Sequence, residues 1–455
     1  HNETTNLASY LSVRPGIPYQ THVTTGSLQD DNVEVETPRI LYEDYRILNT
    51  SVSFLPLGLS NGLVTYLNSF PYGCTEQVIS KAFPYLYLKD VTGFGINDKN
   101  ADEKINYALK VLQARQNADG KFGIWAANSH TSDFITVYGM HFLTKCKKSG
   151  YYVPNTLYNN TLAALKNIAS EKKKNLNDLR IQAYAIYTLT QNEVITTNYI
   201  ASLRKILEEK YPSWNRDLAG AYLAGSYQIM RQNREASLIF NKVAHSLSES
   251  DTPWYFCDNS IQNAQVLYLL SKHAPEILED VSANMISKLA SFLENGHYNT
   301  ITSSYSIMAL SAYSAVAGEP QSGEVQIKQI LRNNVDQVLP LPTGKFPTVN
   351  YSEFTKKLEI TNQEDLHLFY QVVQGGFNTL LPEERVSNGI ELFREYRDKK
   401  GNIVNKVSLG DEVEVHLKFR SLKDENLYNI AIVDLLPAGL EAVPTSVRSN
   451  TYGTW

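Results

Sequence analysis

The sequence predicts an α+β multidomain chain: a closed ring of six helix pairs, an α/α toroid, inserted into a β domain and followed by β-sandwich material. Three observations predict it. Segments near both ends alternate apolar and polar residues between turn-formers, as half-buried strands do. The stretch between them is helical and repeats roughly every 40 residues, pairing one apolar with one amphipathic helix each time. The apolar helices are rich in Ala and Tyr and must bury both faces, which favours a ring over an open solenoid.

In chain order, Thr21–Gly26 and Asn32–Glu36 read as strands. From about Asn49 the pattern turns helical. A helix is read over Val78–Leu88, with Cys74 in or near its first turn. Further apolar helices start near Asp133, Asp178, Asp217, Asn259 and Ser303, and several of these residues are N-cap types. Amphipathic helices lie between, over Asp102–Gln116, Thr156–Glu171, Thr197–Lys210, Arg234–Leu247 and Glu276–Glu294. After about Gly318 the pattern turns again, and Leu339-Pro340-Leu341-Pro342 excludes helix. Lys357–Ile360, Leu366–Val373, Glu391–Tyr396 and Glu412–Phe419 read as strands. Asn429–Asp434 reads as a buried strand, with a turn at Pro437–Leu440.

A length of 455 residues exceeds one ordinary core. A hydrophobic share of 43% and a charged share of 20% describe a soluble globular protein. A net charge of −5 and pI near 6.0 argue against a nucleic-acid surface. No apolar run approaches a membrane span. The nine histidines are scattered without metal-ligand spacing, so no metal and no cofactor are expected. Three cysteines are too few for a disulfide scaffold, and whether Cys146 and Cys257 pair stays open. The chain begins at His1 and ends after a strand-like stretch without an evident close, which suggests a piece of a longer protein.

The chemistry-bearing stretch is Phe70-Pro71-Tyr72-Gly73-Cys74-Thr75-Glu76-Gln77. Pro71 and Gly73 shape a tight lead-in to a helix start. Cys74 and Gln77, three residues apart, share one face of the first turn. Free backbone N–H groups and the helix dipole there favour a thiolate. A carboxamide within reach of a thiolate can be attacked, expel ammonia and leave an internal thioester. The same residues also read as a turn with an inert buried cysteine, and Cys-x-x-Gln alone leaves both readings open.

Tyr72-Gly73-Cys74-Thr75-Glu76-Gln77 resembles the Gly-Cys-x-Glu-Gln signature of the α2-macroglobulin and complement thioester family. The longer run from Phe70, followed by Phe83-Pro84-Tyr85-Leu86-Tyr87-Leu88, resembles its bacterial branch. Ser12–Pro15, Thr24–Ser27, Asp119–Trp125, Gln371–Phe377, Leu409–Val413 and Leu435–Leu440 are similar to other parts of that branch, so the likeness covers nearly the whole chain. It implies a thioester domain, an α/α six-pair toroid over residues 49–325. A CUB-like β domain would be split into residues 1–48 and 326–388. A macroglobulin-type β-sandwich would occupy residues 389–455.

The resemblance implies that Cys74 Sγ and Gln77 Cδ form the thioester, an acyl donor for amines. Phe70 and Tyr72 are the aromatics expected to shield it from water, or simply to pack the turn. The bacterial branch often carries Tyr at the position of Phe70, so shielding here rests on apolar exclusion. Glu76 either supports the helix start through its charge or belongs to a recognition site. His130 is the nearest candidate for an acyl-transfer histidine, whereas His141 and His297 read as structural. The implied function is a broad-spectrum protease trap, an endopeptidase inhibitor rather than a turnover enzyme. Its partners are proteases captured through lysine amines after cleavage of a bait region N-terminal to this segment. The resemblance also implies a periplasmic or cell-envelope location, a lipid-anchored full-length protein at the inner membrane, and a penicillin-binding protein or other envelope component as partner. The alternatives are a thioester-mediated covalent adhesin, a cysteine hydrolase using Cys74, and a carbohydrate-active α/α-toroid enzyme using Asp133, Asp178 and Asp217. Those three aspartates read equally as N-caps.

Overall fold

The computed structural model describes residues 15–443 apart from 30, 248–256, 297, 319–322, 381–386, 388, 423, 425–429, 431, 433 and 438. Tyr19–Phe377 forms one compact unit. Asn378–Trp455, with the residues up to Pro18, forms the other.

The larger unit opens with strands β1 (Gln20–Leu28), β2 (Asn32–Glu36) and β3 (Ile47–Ser53). Thirteen helices follow among the described residues: α1 (Ser60–Ser69), α2 (Thr75–Ala82), α3 (Tyr85–Leu88), α4 (Asp98–Arg115), α5 (Asp133–Lys148), α6 (Asn155–Ser170), α7 (Leu176–Gln191), α8 (Thr197–Lys210), α9 (Leu218–Ile229), α10 (Asn233–Ser246), α11 (Asn259–His273), α12 (Pro275–Glu294) and α13 (Thr300–Ser314). Strands β4 (Val325–Leu331), β5 (Asp336–Leu339), β6 (Thr348–Asn350), β7 (Thr355–Asn362) and β8 (Leu368–Gly376) complete the unit.

Strands from both sides of the helical stretch share the same sheets. One antiparallel sheet has the order β1-β8-β3-β6 and the other β2-β7-β4-β5. The central β8 is buried along its whole length and pairs with β1 on one side and β3 on the other. Leu28, Val35, Val52, Ile327, Leu358, Ile360, Leu368 and Val372 join both sheets in one apolar core. Gly26 lies directly opposite Tyr370, and a Cβ there would sit 2.3 Å from the phenol oxygen. A side chain at that position would force the Tyr370 ring to move.

The helices form a closed cycle of contacts. α2 touches α5, α5 touches α7, α7 touches α9, α9 touches α11, α11 touches α13, and α13 returns to α2. α5, α7, α9, α11 and α13 are buried almost all round, so their sequences are apolar on every face. α4, α6, α8, α10 and α12 bury one stripe and lie against the inner helices from outside. Tyrosine fills the inner layer because each buried hydroxyl finds a partner. Tyr184 pairs with His141 at 2.7 Å, Tyr138 with Ser304 at 2.8 Å, and Tyr87 with Tyr268 at 3.1 Å.

Several sequence expectations are corrected. The change to helix comes later than Asn49, because Ile47–Ser53 is strand β3, paired along its length with β8. The helix read over Val78–Leu88 starts earlier, at Thr75, and divides into α2 and α3 around Pro84, whose missing N–H breaks the ladder. The caps fall at Ser132, Asn175, Asp217, Asp258 and Asn299, so of the three aspartates only Asp217 is itself a cap.

In the smaller unit, β9 (Ile390–Arg397) and β10 (Glu414–Ser421) form an antiparallel pair in register from Ile390–Ser421 to Arg397–Glu414. Gly439 has φ of 89°, and the Leu440 N–H reaches the Pro437 carbonyl, so the turn forms as read. The buried strand expected over Asn429–Asp434 is not seen at the residues described there. Ile430 and Ile432 are non-strand and exposed. An apolar run becomes a buried strand only where another layer covers it, and the described residues of this unit contribute just one two-stranded sheet.

Candidate functional site

Cys74 is the N-cap of α2, in extended backbone conformation at φ −63° and ψ 167°. Gln77 is the third helical residue. Its Oε1 accepts the Cys74 N–H at 2.9 Å, while the Cys74 thiol faces the Gln77 N–H. This is the reciprocal geometry of a capping box, with a thiol where a hydroxyl commonly stands. It folds the carboxamide back over the thiol-bearing residue. Cys74 is buried and Gln77 half-buried.

The thiolate expectation is corrected. Burial pushes the Cys74 thiol up to about 11, although the N–H groups of Gln77 and Glu76 and the charge of Arg115 pull the other way. Desolvation of the charged form outweighs the helix start. None of the three cysteines is in a disulfide, and Cys146 and Cys257 are separately buried.

Glu76 turns inward and is 1% exposed. Its carboxylate accepts the Ser80 hydroxyl at 2.6 Å and the Thr300 hydroxyl at 3.0 and 3.1 Å. Ser80 in turn meets the Tyr138 hydroxyl at 3.1 Å. The network ties α2 to α5 and α13. Burial raises the Glu76 carboxyl to about 7, against the opposing effects of Ser80, Thr300 and Lys81.

The loop after α4 braces the helix start. The Thr75 N–H donates to Ile124 O at 2.9 Å, and its hydroxyl donates to Gly123 O at 2.5 Å. Arg115 Nη1 donates to Gly73 O at 3.0 Å and lies within 3.3 Å of Thr75 Oγ1, while its guanidinium sits 5.9 Å from the Trp125 ring. Gly120, at φ +75°, closes this loop so tightly that a Cβ would lie 2.2 Å from Asn160 O. His130 is exposed on the same loop, and its carbonyl accepts the Ile124 N–H at 3.3 Å.

Phe70 and Tyr72 stack edge to face at 5.7 Å, and Phe70 also packs on Tyr66 at 5.8 Å. Phe70 is half-buried, whereas Tyr72 is 39% exposed. Lys81, from the last turn of α2, donates to the carbonyl oxygens of Phe70 and Tyr72. Two cations thus hold three lead-in carbonyls, Lys81 on Phe70 and Tyr72 and Arg115 on Gly73.

His141 is buried, and burial lowers it to about 3. His297 lies outside the described residues. Asp133 binds Lys121 and Lys173, each at 2.8 Å, and Asp217 binds Arg180 through both carboxylate oxygens. Asp178 accepts the Asn175 side-chain amide at 2.6 Å. Sequence reasoning missed Arg115, Thr300 and Lys81. Arg115 and Thr300 lie too far along the chain for any local signal, but Lys81 stands one helical turn beyond Gln77 and was open to that reading.

Comparison with known proteins finds bacterial relatives. Residues 389–455 match the bacterial alpha-2-macroglobulin MG10 domain. The alpha-2-macroglobulin of Rickettsia conorii is 34% identical over 451 residues, 98% of this chain and 24% of that protein. The Yersinia pestis alpha-2-macroglobulin homolog is 32% identical over 443 residues, 95% of this chain and 22% of that protein. The chain thus spans under a quarter of the length of these relatives. The crystal structure of native Escherichia coli alpha-2-macroglobulin from domain MG7 to the C-terminus superposes with a TM-score of 0.72 at 18% identity, covering 90% of this chain and 65% of that one. Salmonella alpha-2-macroglobulin reacted with methylamine gives the same TM-score of 0.72 at 20% identity, covering 90% of this chain and 27% of that one. These likenesses carry the fold, and the sequence identities carry the kinship: over nearly its whole length the chain is a homologue of the bacterial alpha-2-macroglobulins.

Proposed function

We propose that this chain is the reactive part of a bacterial alpha-2-macroglobulin, a single-use trap that captures proteases through a thioester between Cys74 and Gln77. The carrying observation is the reciprocal pairing of these two residues in the buried first turn of α2. In forming the bond, Cys74 Sγ adds to Gln77 Cδ. The C–S bond forms, the carboxamide C–N bond breaks, and ammonia leaves with the thiol proton. A lysine amine of a bound protease then adds to the same carbon. An amide forms, the C–S bond breaks, and Cys74 regains a proton. The bond is consumed, so this is inhibition rather than turnover.

Burial of Cys74 supports a bond kept from water until the surroundings open. Phe70 and Tyr72 are the shielding rings in this reading, braced by Lys81. The closed cycle of helix contacts supports an α/α six-pair toroid as thioester domain. The sheets shared by strands from either side support its insertion in a CUB-like domain, with a macroglobulin-type sandwich following. The same reading places the protein in the periplasm or cell envelope, lipid-anchored when full length, with bait cleavage as the trigger and a penicillin-binding protein or other envelope component as neighbour. The enzyme alternative loses support because Asp133 and Asp217 are committed to cations.

Intact-mass measurement tests the reading. Fresh protein should lack the mass of one ammonia, and Cys74→Ala should not. Methylamine should add its own mass and free one thiol. Fresh protein of full encoded mass, carrying a titratable Cys74 and Gln at 77, contradicts the proposal.

A further inference from the structure

Gln77 and Lys81 stand four residues apart on α2 and therefore share one helical face. Helical side chains lean towards the N-terminus. The Lys81 chain runs back along that face to the carbonyls of Phe70 and Tyr72, with Nζ 2.9 Å from Tyr72 O and 5.8 Å from the Phe70 ring centroid. It starts one turn beyond Gln77 and its nitrogen ends at residues that precede Cys74 in the chain. The Gln77 carboxamide is turned the same way, towards the Cys74 N–H. If Gln77 is an acyl donor, a primary amine is its neighbour one turn along.

We propose that Lys81 is a built-in competitor for the acyl group, held inert by the Phe70 and Tyr72 carbonyls and released to close on Gln77 when that turn lifts. This inference rests on the thioester reading. While Lys81 donates to both carbonyls, its nitrogen is held at those two oxygens. Once they move away, it passes a proton to water and its nitrogen adds to Gln77 Cδ. The C–N bond forms and the C–S bond breaks. Cys74 sulfur leaves with the electron pair and takes up the second nitrogen proton through solvent. The product is an amide bridging positions 77 and 81 across one turn of helix, and a free Cys74 thiol. No other reactant is needed.

In the packed turn, burial lowers the Lys81 pKa and the Lys104 charge from α4 adds to that, against Cys74 and Glu76. An amine tethered this close has a high effective concentration. A molecule that opens with no protease at hand would retire itself, rather than acylate a bystander.

The bridged product and the thioester are isomers, which makes the test sharp. Fresh wild-type chain and Lys81→Arg are incubated without amine in mildly alkaline buffer. Intact mass, thiol titration, methylamine uptake and tryptic peptides are followed. The arginine keeps the charge and the donors, but its guanidinium stays protonated and is no nucleophile. Wild type should keep the ammonia deficit while gaining one thiol, losing methylamine uptake, and yielding a peptide linked between Gln77 and Lys81. Lys81→Arg should instead end as hydrolysed protein with Glu at 77. If wild type also ends hydrolysed with an unmodified Lys81, the competitor proposal is overturned while the thioester stands. If fresh protein of either form has no ammonia deficit and no link, both readings fall.

Discussion

The Glu76 carboxylate in the first turn of α2 accepts the Thr300 hydroxyl in the first turn of α13, at 3.0 and 3.1 Å, with both residues buried. The first and last inner helices of the cycle therefore meet through a hydrogen bond to a residue that lies between Cys74 and Gln77 in the chain. Thr300→Val keeps the shape and removes the donor. Above pH 7, where Glu76 is ionised, it should lower unfolding stability by about 1.5–3 kcal/mol, the usual worth of a hydrogen bond to a charged group. Urea denaturation measures this, and an unchanged midpoint would show that the contact carries no stability.

Glu76 also makes stability depend on pH. Burial raises its folded value to about 7 from an ordinary 4.5. A carboxyl raised on folding holds its proton longer in the native state, so stability is fullest below the unfolded value and is lost as pH rises to the folded one. Relative to Glu76→Gln, wild type should lose about 3 kcal/mol between roughly pH 4.5 and 7 and stay level above. Parallel stability curves for the two proteins would refute this.

The thiol should be sluggish despite its place at a helix start. In Gln77→Ala, which lacks the carboxamide, Cys74 keeps its burial. With the thiol moved from an ordinary 9.0 to about 11, alkylation near pH 8 should run about a hundredfold slower than in the unfolded chain. Iodoacetamide labelling followed by peptide mass spectrometry reads the ratio. Labelling at the unfolded rate would mean that the helix start outweighs burial after all.

Asp217 and Arg180 form a buried ion pair between the start of α9 and the first turns of α7. Removing one partner strands the other charge in the interior. Asp217→Ala should therefore cost about 3–5 kcal/mol, and the double variant Asp217→Ala with Arg180→Met should recover much of that loss. Thermal or urea unfolding of the set decides it.

The brace on Thr75 depends on Gly120. Gly120→Ala introduces a Cβ that would lie 2.2 Å from Asn160 O at a positive φ. The loop must shift, and with it the Gly123 and Ile124 carbonyls that hold Thr75. Loss of about 1–3 kcal/mol and faster decay of methylamine uptake should appear together. Stability loss with an unchanged decay rate would separate the loop from the reactive turn.

The helical repeat was largely legible in the sequence. Periodicity is a local property, and the inner starts near Asp133, Asp217 and Asn259 needed no partner to be seen. The caps were harder: Ser132 and Asn175 were passed over for the neighbouring acids, because side chains of both kinds can cap and only the backbone turn selects between them. Ile47–Ser53 was misread because its partner strand β8 begins at Leu368, and strand preference depends on what pairs with it.

The sequence by itself determined that Cys74 and Gln77 share one turn of a helix, since three residues of spacing and a Pro-Gly lead-in are covalent facts. It also determined the order of strand, helix and strand segments, and the 40-residue rhythm, roughly, of the middle. Only the tertiary structure decided what surrounds that turn. Thr300 reaches it from 224 residues away, and Arg115 from the far end of another helix. The thiol is pushed up rather than down because the charged form loses its water, and burial is a property of packing that no local stretch contains.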